Sequence, residues 1–427
     1  MSISPTPWLA PKAVPDAERR QHEGEFLNDL RKRTFRYFLE AADPVTGLIA
    51  DRARGDGSRV GEVASSAACG FGLAALSVGI DSGLISRGEA GERVRRMLFS
   101  LLHQVEHHQG FPYHFVGLRD GRRRWGCEAS TIDTALLLAG AMCASTVFEN
   151  DAEIVGLSDS LIRRANWSAM LDPKHGQLHM GWTPENGLLP HRWDRFSELL
   201  VMLLIAIGSD ENGVPAECWN AWRREGELTY RGERFLSYPP LFVQQYSLAF
   251  FDLRDRRAAS GRDFWKNSVT AHHAQIEFMH QLARRYPREF GHYGNHLWGI
   301  TSSDSVDGYR DWGGPYQDGR IEPDRGIDGT VVPSAAGGGL AIVSEEALRT
   351  LMFQRHHFGE RVYGRYGFVN AFNPASGWVG PDVIGIDTGI TFLMAENLAV
   401  GSVWRAFMTH TIAQNALTRT GFTHLAS

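Results

Sequence analysis

Two acids far apart in the chain, Glu198 and Asp387, each stand where an aromatic or glycine-bearing loop runs into an apolar stretch. His191, Arg192, Trp193 and Asp194 lead into the first, and the segment from Trp378 to Gly385 leads into the second. A carboxyl set at a loop–helix junction beside an indole suits polar work against a flat ligand such as a sugar ring. Glycoside hydrolysis needs a protonated acid on one side of the scissile bond and a carboxylate on the other, and this pair could supply both. The plainer reading is a first-turn acid complementing a helix dipole, or an N-cap. At a third junction Trp125, Gly126, Cys127 and Glu128 lead into Asp133. There Ser130 and Asp133 have capping-box spacing with Asp in place of Glu, so capping alone would account for both. Glu128 fits either a surface acid or an acceptor for a sugar hydroxyl. If the three helices start at one end of a common cavity, the three acids line its rim.

Other residues allow other chemistry. In a polysaccharide lyase, Tyr113 and His114 would abstract a proton beside a uronate carboxylate, with Arg192, Arg310 or Arg325 neutralising the acid sugar. The 17 histidines include no His-Glu-x-x-His. Pairs such as His107-His108, His272-His273 and His356-His357 put neighbours on different faces of a helix, so neither metal nor cofactor is expected. Trp298, Trp312 and Trp378 lie among Gly and Asp, which suits loops and makes them candidate sugar platforms. Gly337-Gly338-Gly339 has no Lys at phosphate-loop spacing and reads as a close approach by a helix or a ligand.

The elements that must hold these residues are helices. Amphipathic or continuous apolar patterns cover residues 23–42, 63–78, 86–107, 130–148, 157–170, 195–207, 216–224, 241–253, 262–286, 344–357 and 387–410. Strands are confined to loops such as 329–332. With no short fixed repeat, this pattern predicts an all-α (α/α)6 toroid rather than a solenoid. A Pro-rich arm, residues 1–22 with Pro5, Pro7, Pro11 and Pro15, precedes a single domain over 23–427. The stretch 290–336 carries Tyr293, His296, Trp298, Asp304, Tyr309, Trp312 and Tyr316 and reads as an ordered cover over the cavity.

Composition narrows the partners. A net charge of −5 gives no general field for nucleic acid or anionic lipid. Four cysteines without a Cys-x-x-Cys pair argue against zinc and a disulfide framework. Without an apolar leader or a 20-residue apolar run, a cytoplasmic protein is expected, or a periplasmic one if a leader was removed.

Several ordered motifs resemble the glycoamylase-like domain of family 144 glycoside hydrolases, the bacterial β-1,2-glucanases. They are His292-Tyr293-Gly294 through Trp298-Gly299-Ile300-Thr301, Gly308-Tyr309, Asp328-Gly329-Thr330-Val331-Val332-Pro333, Tyr366 through Asn373, and Glu396-Asn397 through Met408. Phe111 to Phe115 and Ser130 to Leu137 are similar to its N-terminal half, so the resemblance covers most of the chain after about residue 25. It implies an (α/α)6 barrel acting with inversion and without a cofactor on β-linked glucan, most simply β-1,2. Glu198 would be the general acid, and Asp387 the base that activates water directly or through a substrate hydroxyl. Asp133 would bind sugar near the scissile bond, with Ser130, Glu128, Tyr113, His114, Trp193, Trp298, Tyr309, Trp312 and Trp378 completing the substrate set. Three positions depart from the family pattern: Thr388-Gly389-Ile390 follow Asp387 in place of Gln-Gly-Pro, Leu398-Ala399 replace Tyr-Arg after Asn397, and Asn370 stands where Asp is usual. A toroidal lyase, a transglycosylase using the same acids and a glucan-binding protein without catalysis are the alternatives.

Overall fold

The computed structural model describes residues 16–294, 296–315 and 326–425. The Pro-rich segment with Pro5, Pro7, Pro11 and Pro15 lies outside the described residues, as do Tyr316 and Arg325. Fourteen α-helices run among those described: α1 (Asp16–Glu40), α2 (Ser66–Val78), α3 (Arg87–His103), α4 (Thr131–Val147), α5 (Ala152–Arg164), α6 (Leu199–Gly208), α7 (Tyr246–Phe250), α8 (Phe264–Arg285), α9 (Pro287–Phe290), α10 (Pro333–Gly337), α11 (Ser344–Phe358), α12 (Gly385–Ala399), α13 (Ser402–Thr409) and α14 (Thr411–Arg419). The strands are two to four residues long and form small antiparallel ladders in the connections.

The helices are of two kinds, and sequence decides which. All residues of α2 and of α6 are buried, and α4 is buried along nearly its whole length. A helix apolar all round has no face for water and must be surrounded by protein. In α3 the buried residues Ala90, Val94, Met97, Leu98 and Leu101 follow helical spacing, with the charges on the other side. A helix of that kind covers the inner ones. The inner contacts run from α2 to α4, α4 to α6, α6 to α7, α7 to α12, and α12 back to α2, so the series closes on itself. The crossing of α2 with α4 is tight because Gly70 meets Gly140: a Cβ on Gly140 would stand 2.0 Å from the Gly70 carbonyl oxygen. Against the same group, α13 packs on α2, α4, α7 and α12.

Several boundaries differ from the sequence pattern. The apolar stretch 387–410 is two helices, broken at Gly401, whose φ of 66° lies in the left-handed region. The expected helix over 241–253 is a 3-10 turn, Leu241–Gln244, followed by the short α7. Residues 216–224 form only a 3-10 turn, Ala216–Asn220. The helix placed at 157–170 starts earlier, at Ala152, because Asp151 caps it by accepting from the Ile154 N–H. Helix α1 starts seven residues before the expected Glu23. The triplet Gly337-Gly338-Gly339 serves packing: Cβ atoms there would meet Thr391, Gln245 and His272. Cys69, Cys143 and Cys218 are buried free thiols and Cys127 is half-buried. Among the described residues no helix is long and apolar enough to cross a membrane.

Candidate active site

Short ladders bring the helix starts together. Arg52–Arg54 pairs with Asp382–Ile384, which runs directly into α12. Val63–Ser65, which runs into α2, pairs with Phe115–Gly117. Ala129–Ser130, which runs into α4, pairs with Gly181–Thr183. The starts of α12 and α4 are thereby pinned at the ends where Asp387 and Asp133 sit.

Glu198 occupies the N-cap position of α6, yet its side chain makes no capping bond. The Ser197 hydroxyl takes the Leu199 N–H instead, which leaves the Glu198 carboxyl to the cavity. That cavity, of roughly 570 Å³, is lined by His191, Trp193, Glu198, Tyr238, Phe242 and Asp311 among others. Burial pushes the Glu198 carboxyl up to about 7, and the like charges of Asp133 and Asp311 push the same way. Asp387, in the first turn of α12, also caps nothing. Burial pushes it up to about 7 as well, opposed by a hydrogen bond from Asn370 and reinforced by Asp304 and Asp51. Both residues are half-buried, so protein replaces most of their hydration, and Glu198 lines the cavity. Tyr246 on α7 is 5% exposed and lies within electrostatic reach of both. Burial raises its hydroxyl well above the usual value, and Asp387, Tyr309, Glu198 and Asp133 all add to the shift.

The third acid has a different neighbour. Ser130 caps α4, its Oγ accepting from the Asp133 N–H at 3.3 Å, while the Asp133 carboxylate faces His114 Nε2 at 3.6 Å. His114 Nδ1 faces Glu128 at 3.4 Å. Burial alone would lower the imidazole pKa, but Asp133, Glu128 and Asp51 overcome it and push it up to about 9. His114, Glu128 and Asp133 are close enough to take a cation. An imidazolium between two carboxylates satisfies the trio without one. An imidazolium is also no proton acceptor, which removes the base that the lyase reading needs. Arg192, offered there as a neutralising group, is held by Asp172 at 3.0 Å.

The remaining expectations divide. Trp193 lines the cavity and donates from Nε1 to Thr131 Oγ1 at 2.9 Å. Tyr309 is 56% exposed on the hairpin Ser303–Ser305/Gly308–Arg310, and Trp378 is half-buried. Trp298 and Trp312, expected as sugar platforms, are each 1% exposed. Their indole N–H groups donate to Glu346 O and Ser303 Oγ, so these rings are the core of the cover and offer no face to a ligand. Ser130 is 1% exposed and its hydroxyl is engaged in the cap, and Tyr113 is buried with the Arg123 guanidinium over its ring at 5.0 Å. The sequence pattern passed over Asp311 and Tyr246 and marked Asn370 only as a departure from the family motif. It also passed over the exposed face of Trp125, which is 70% exposed and follows the ring of Phe115, itself stacked on His114 at 3.9 Å. The signal for Trp125 was the following Gly126 in a polar loop. Nothing local marks Asp311 or Tyr246. A larger concavity of about 640 Å³, around Arg254 and Trp404 at the far end of α12, holds none of these acids.

The chain resembles known proteins over most of its length. The family model described as "Glycoamylase: Putative glucoamylase" matches residues 190–411. An exo β-1,2-glucooligosaccharide sophorohydrolase (non-reducing end) of Parabacteroides distasonis is 25% identical over 92% of this chain, which spans 57% of that protein's length. A structure from Bacteroides fragilis NCTC 9343, described in the same words as the family model, superposes with a TM-score of 0.84 at 27% identity, covering 95% of this chain and 98% of the other. The endo-β-1,2-glucanase of Chitinophaga pinensis, solved with sophorotriose and glucose, gives a TM-score of 0.83 at 25% identity, with 94% and 98% covered.

Proposed function

Since the chain belongs to the Glycoamylase family, we propose that it is a glycoside hydrolase that cleaves β-1,2-linked glucooligosaccharides with inversion, Glu198 acting as general acid and Asp387 as general base. One observation carries the reading: two carboxyls on different helix starts, neither used in capping, are both pushed up to about 7 and both act on Tyr246 between them. A catalytic acid and base work best with pKa values near the working pH. The roles divide by surroundings. Glu198 faces Asp133 and Asp311, which favour its protonated form. Asp387 receives an N–H from Asn370, which favours the carboxylate. Glu198 then protonates the glycosidic oxygen as the bond to the anomeric carbon breaks. Asp387 takes a proton from the water that attacks the opposite face of the sugar.

The substrate class follows from the relatives: the sophorohydrolase and the endo-glucanase both act on β-1,2-linked glucose. The architecture belongs to the proposal too, a single (α/α)6 toroid over 23–427, supported by the closed series of inner helices. So does a cytoplasmic place of action on short oligosaccharides, for which four free thiols are suited. The test is incubation with sophorotriose and longer β-1,2-glucooligosaccharides, following product anomers by NMR. The expected first product is the α-anomer, with turnover lost in Glu198→Gln and Asp387→Asn. No cleavage, a first-formed β-anomer, or turnover that survives both substitutions overturns the proposal.

A further inference from the structure

Asn370 is 2% exposed, and its backbone N–H and both ends of its side-chain amide have set partners. Its backbone N–H donates to Asp382 O at 2.9 Å. Its side-chain oxygen accepts from the backbone N–H of Asp304 at 2.8 Å. A backbone N–H can only donate, so this bond fixes which end of the amide is oxygen. The side-chain nitrogen is therefore the group that meets Asp387 Oδ2, at 2.5 Å. An amide nitrogen donates and cannot accept, and its bond is worth most to a charged oxygen.

We infer that Asn370 is a positioning residue that holds Asp387 as a carboxylate and ties it to the hairpin carrying Tyr309. The inference rests on the reading of Asp387 as the base and adds what sets that base. Asp304 is the shared point. Its backbone orients Asn370, and its carboxylate is held by Arg52 Nη1 at 3.1 Å. The same guanidinium reaches Asp51 and Asp382, so the hairpin is latched to the strand beside α12. Were the hairpin to swing away, the amide would lose the partner that orients it, and Asp387 would lose the amide donor.

The charged and titratable groups around Asp387 make the donor matter. Asp51, Arg52 and Asp382 come from the paired strands, Asp304, Tyr309 and Asp311 from the hairpin and its exit, and Tyr246 from α7. Glu198 in turn is acted on by Asp133 and Asp311, and Asp133 faces the imidazolium of His114. Most of these groups are acids; the Asn370 N–H donates to Asp387 directly at 2.5 Å and the Ser334 hydroxyl acts in the same direction more weakly.

The test is the pH profile of kcat on sophorotriose for the wild type, Asn370→Asp, Asn370→Ser and Asp387→Asn, with a melting temperature for each. In the isosteric N370D two carboxyl groups face each other and must share a proton, so the acidic limb is expected to move up by about one pH unit or more. N370S, which withdraws the donor, moves the limb in the same direction. A purely structural role would lower the melting temperature and scale kcat down at every pH without moving the limb, and that result in both variants overturns the inference. Loss of turnover in D387N beside an unmoved limb in the Asn370 variants sinks the inference alone. Turnover that survives in D387N sinks the base assignment itself.

Discussion

The acid–base pair carries its pH dependence in its surroundings. Asp387 must be ionised and Glu198 protonated, so activity should rise with pH as the first loses its proton and fall as the second does. With both pushed up to about 7, the expected profile of kcat/KM is a narrow bell centred near neutrality. The same shifts bear on stability. A carboxyl raised from its unfolded value binds its proton more tightly in the folded state, so stability falls as pH climbs from about 4 to about 7 and stays lower above it. Glu198→Gln and Asp387→Asn remove that cost and should raise the melting temperature at pH 8 by about 1–3 °C, with a smaller gain at pH 4, readable by scanning calorimetry. Trp125 offers an exposed indole 5.0 Å from Phe115. Its replacement by Ala should raise KM for longer oligosaccharides several-fold, about 1 kcal/mol, while kcat stays within twofold. At this scale Glu198, Asp387 and Asp133 were legible because each stands at a loop–helix junction. Asp311 was not, and Asn370 was marked only as a departure from a motif without its role, because their partners are 9 and 17 residues away in the sequence and only tertiary folding brings them together.

Among the elements, α12 does most of the joining. Its first turn holds Asp387, and its last holds Glu396 and Asn397. Glu396 is 0% exposed and receives Arg31 Nε from α1 at 2.7 Å and Ser82 Oγ at 2.7 Å. Asn397 donates to Ala249 O and accepts from the Trp404 N–H. The Glu396-Asn397 motif is thus a structural clamp at the end of the helix away from the chemistry. Removing one partner of a buried ion pair leaves the other charge unpaired. Arg31→Ala should therefore cost about 3 kcal/mol, measured by urea denaturation, with the pH optimum unmoved. The element pattern was legible for α2, α4 and α6, whose continuous apolar runs leave no polar face. It failed at α7 and α10, which at five residues each are too short to show a period, and at 387–410, where one left-handed glycine divides an apolar run that periodicity reads as continuous.

For the whole molecule, the closed series of inner contacts explains why short helices suffice as a scaffold: each is braced by two neighbours. The Gly70–Gly140 crossing sets how closely one such pair can approach, and glycine alone in a sequence does not say which other glycine it will meet. Helix α13 has a further consequence. It lies against α2, α4, α7 and α12 at once, its Trp404 Nε1 bonded to Leu248 O. In the proposed toroid, α13 would stop the middle of the helices at the end of α12 away from Asp387. A sugar chain bound as proposed would then enter and leave by one doorway, the released unit backing out past the place where the next chain comes in.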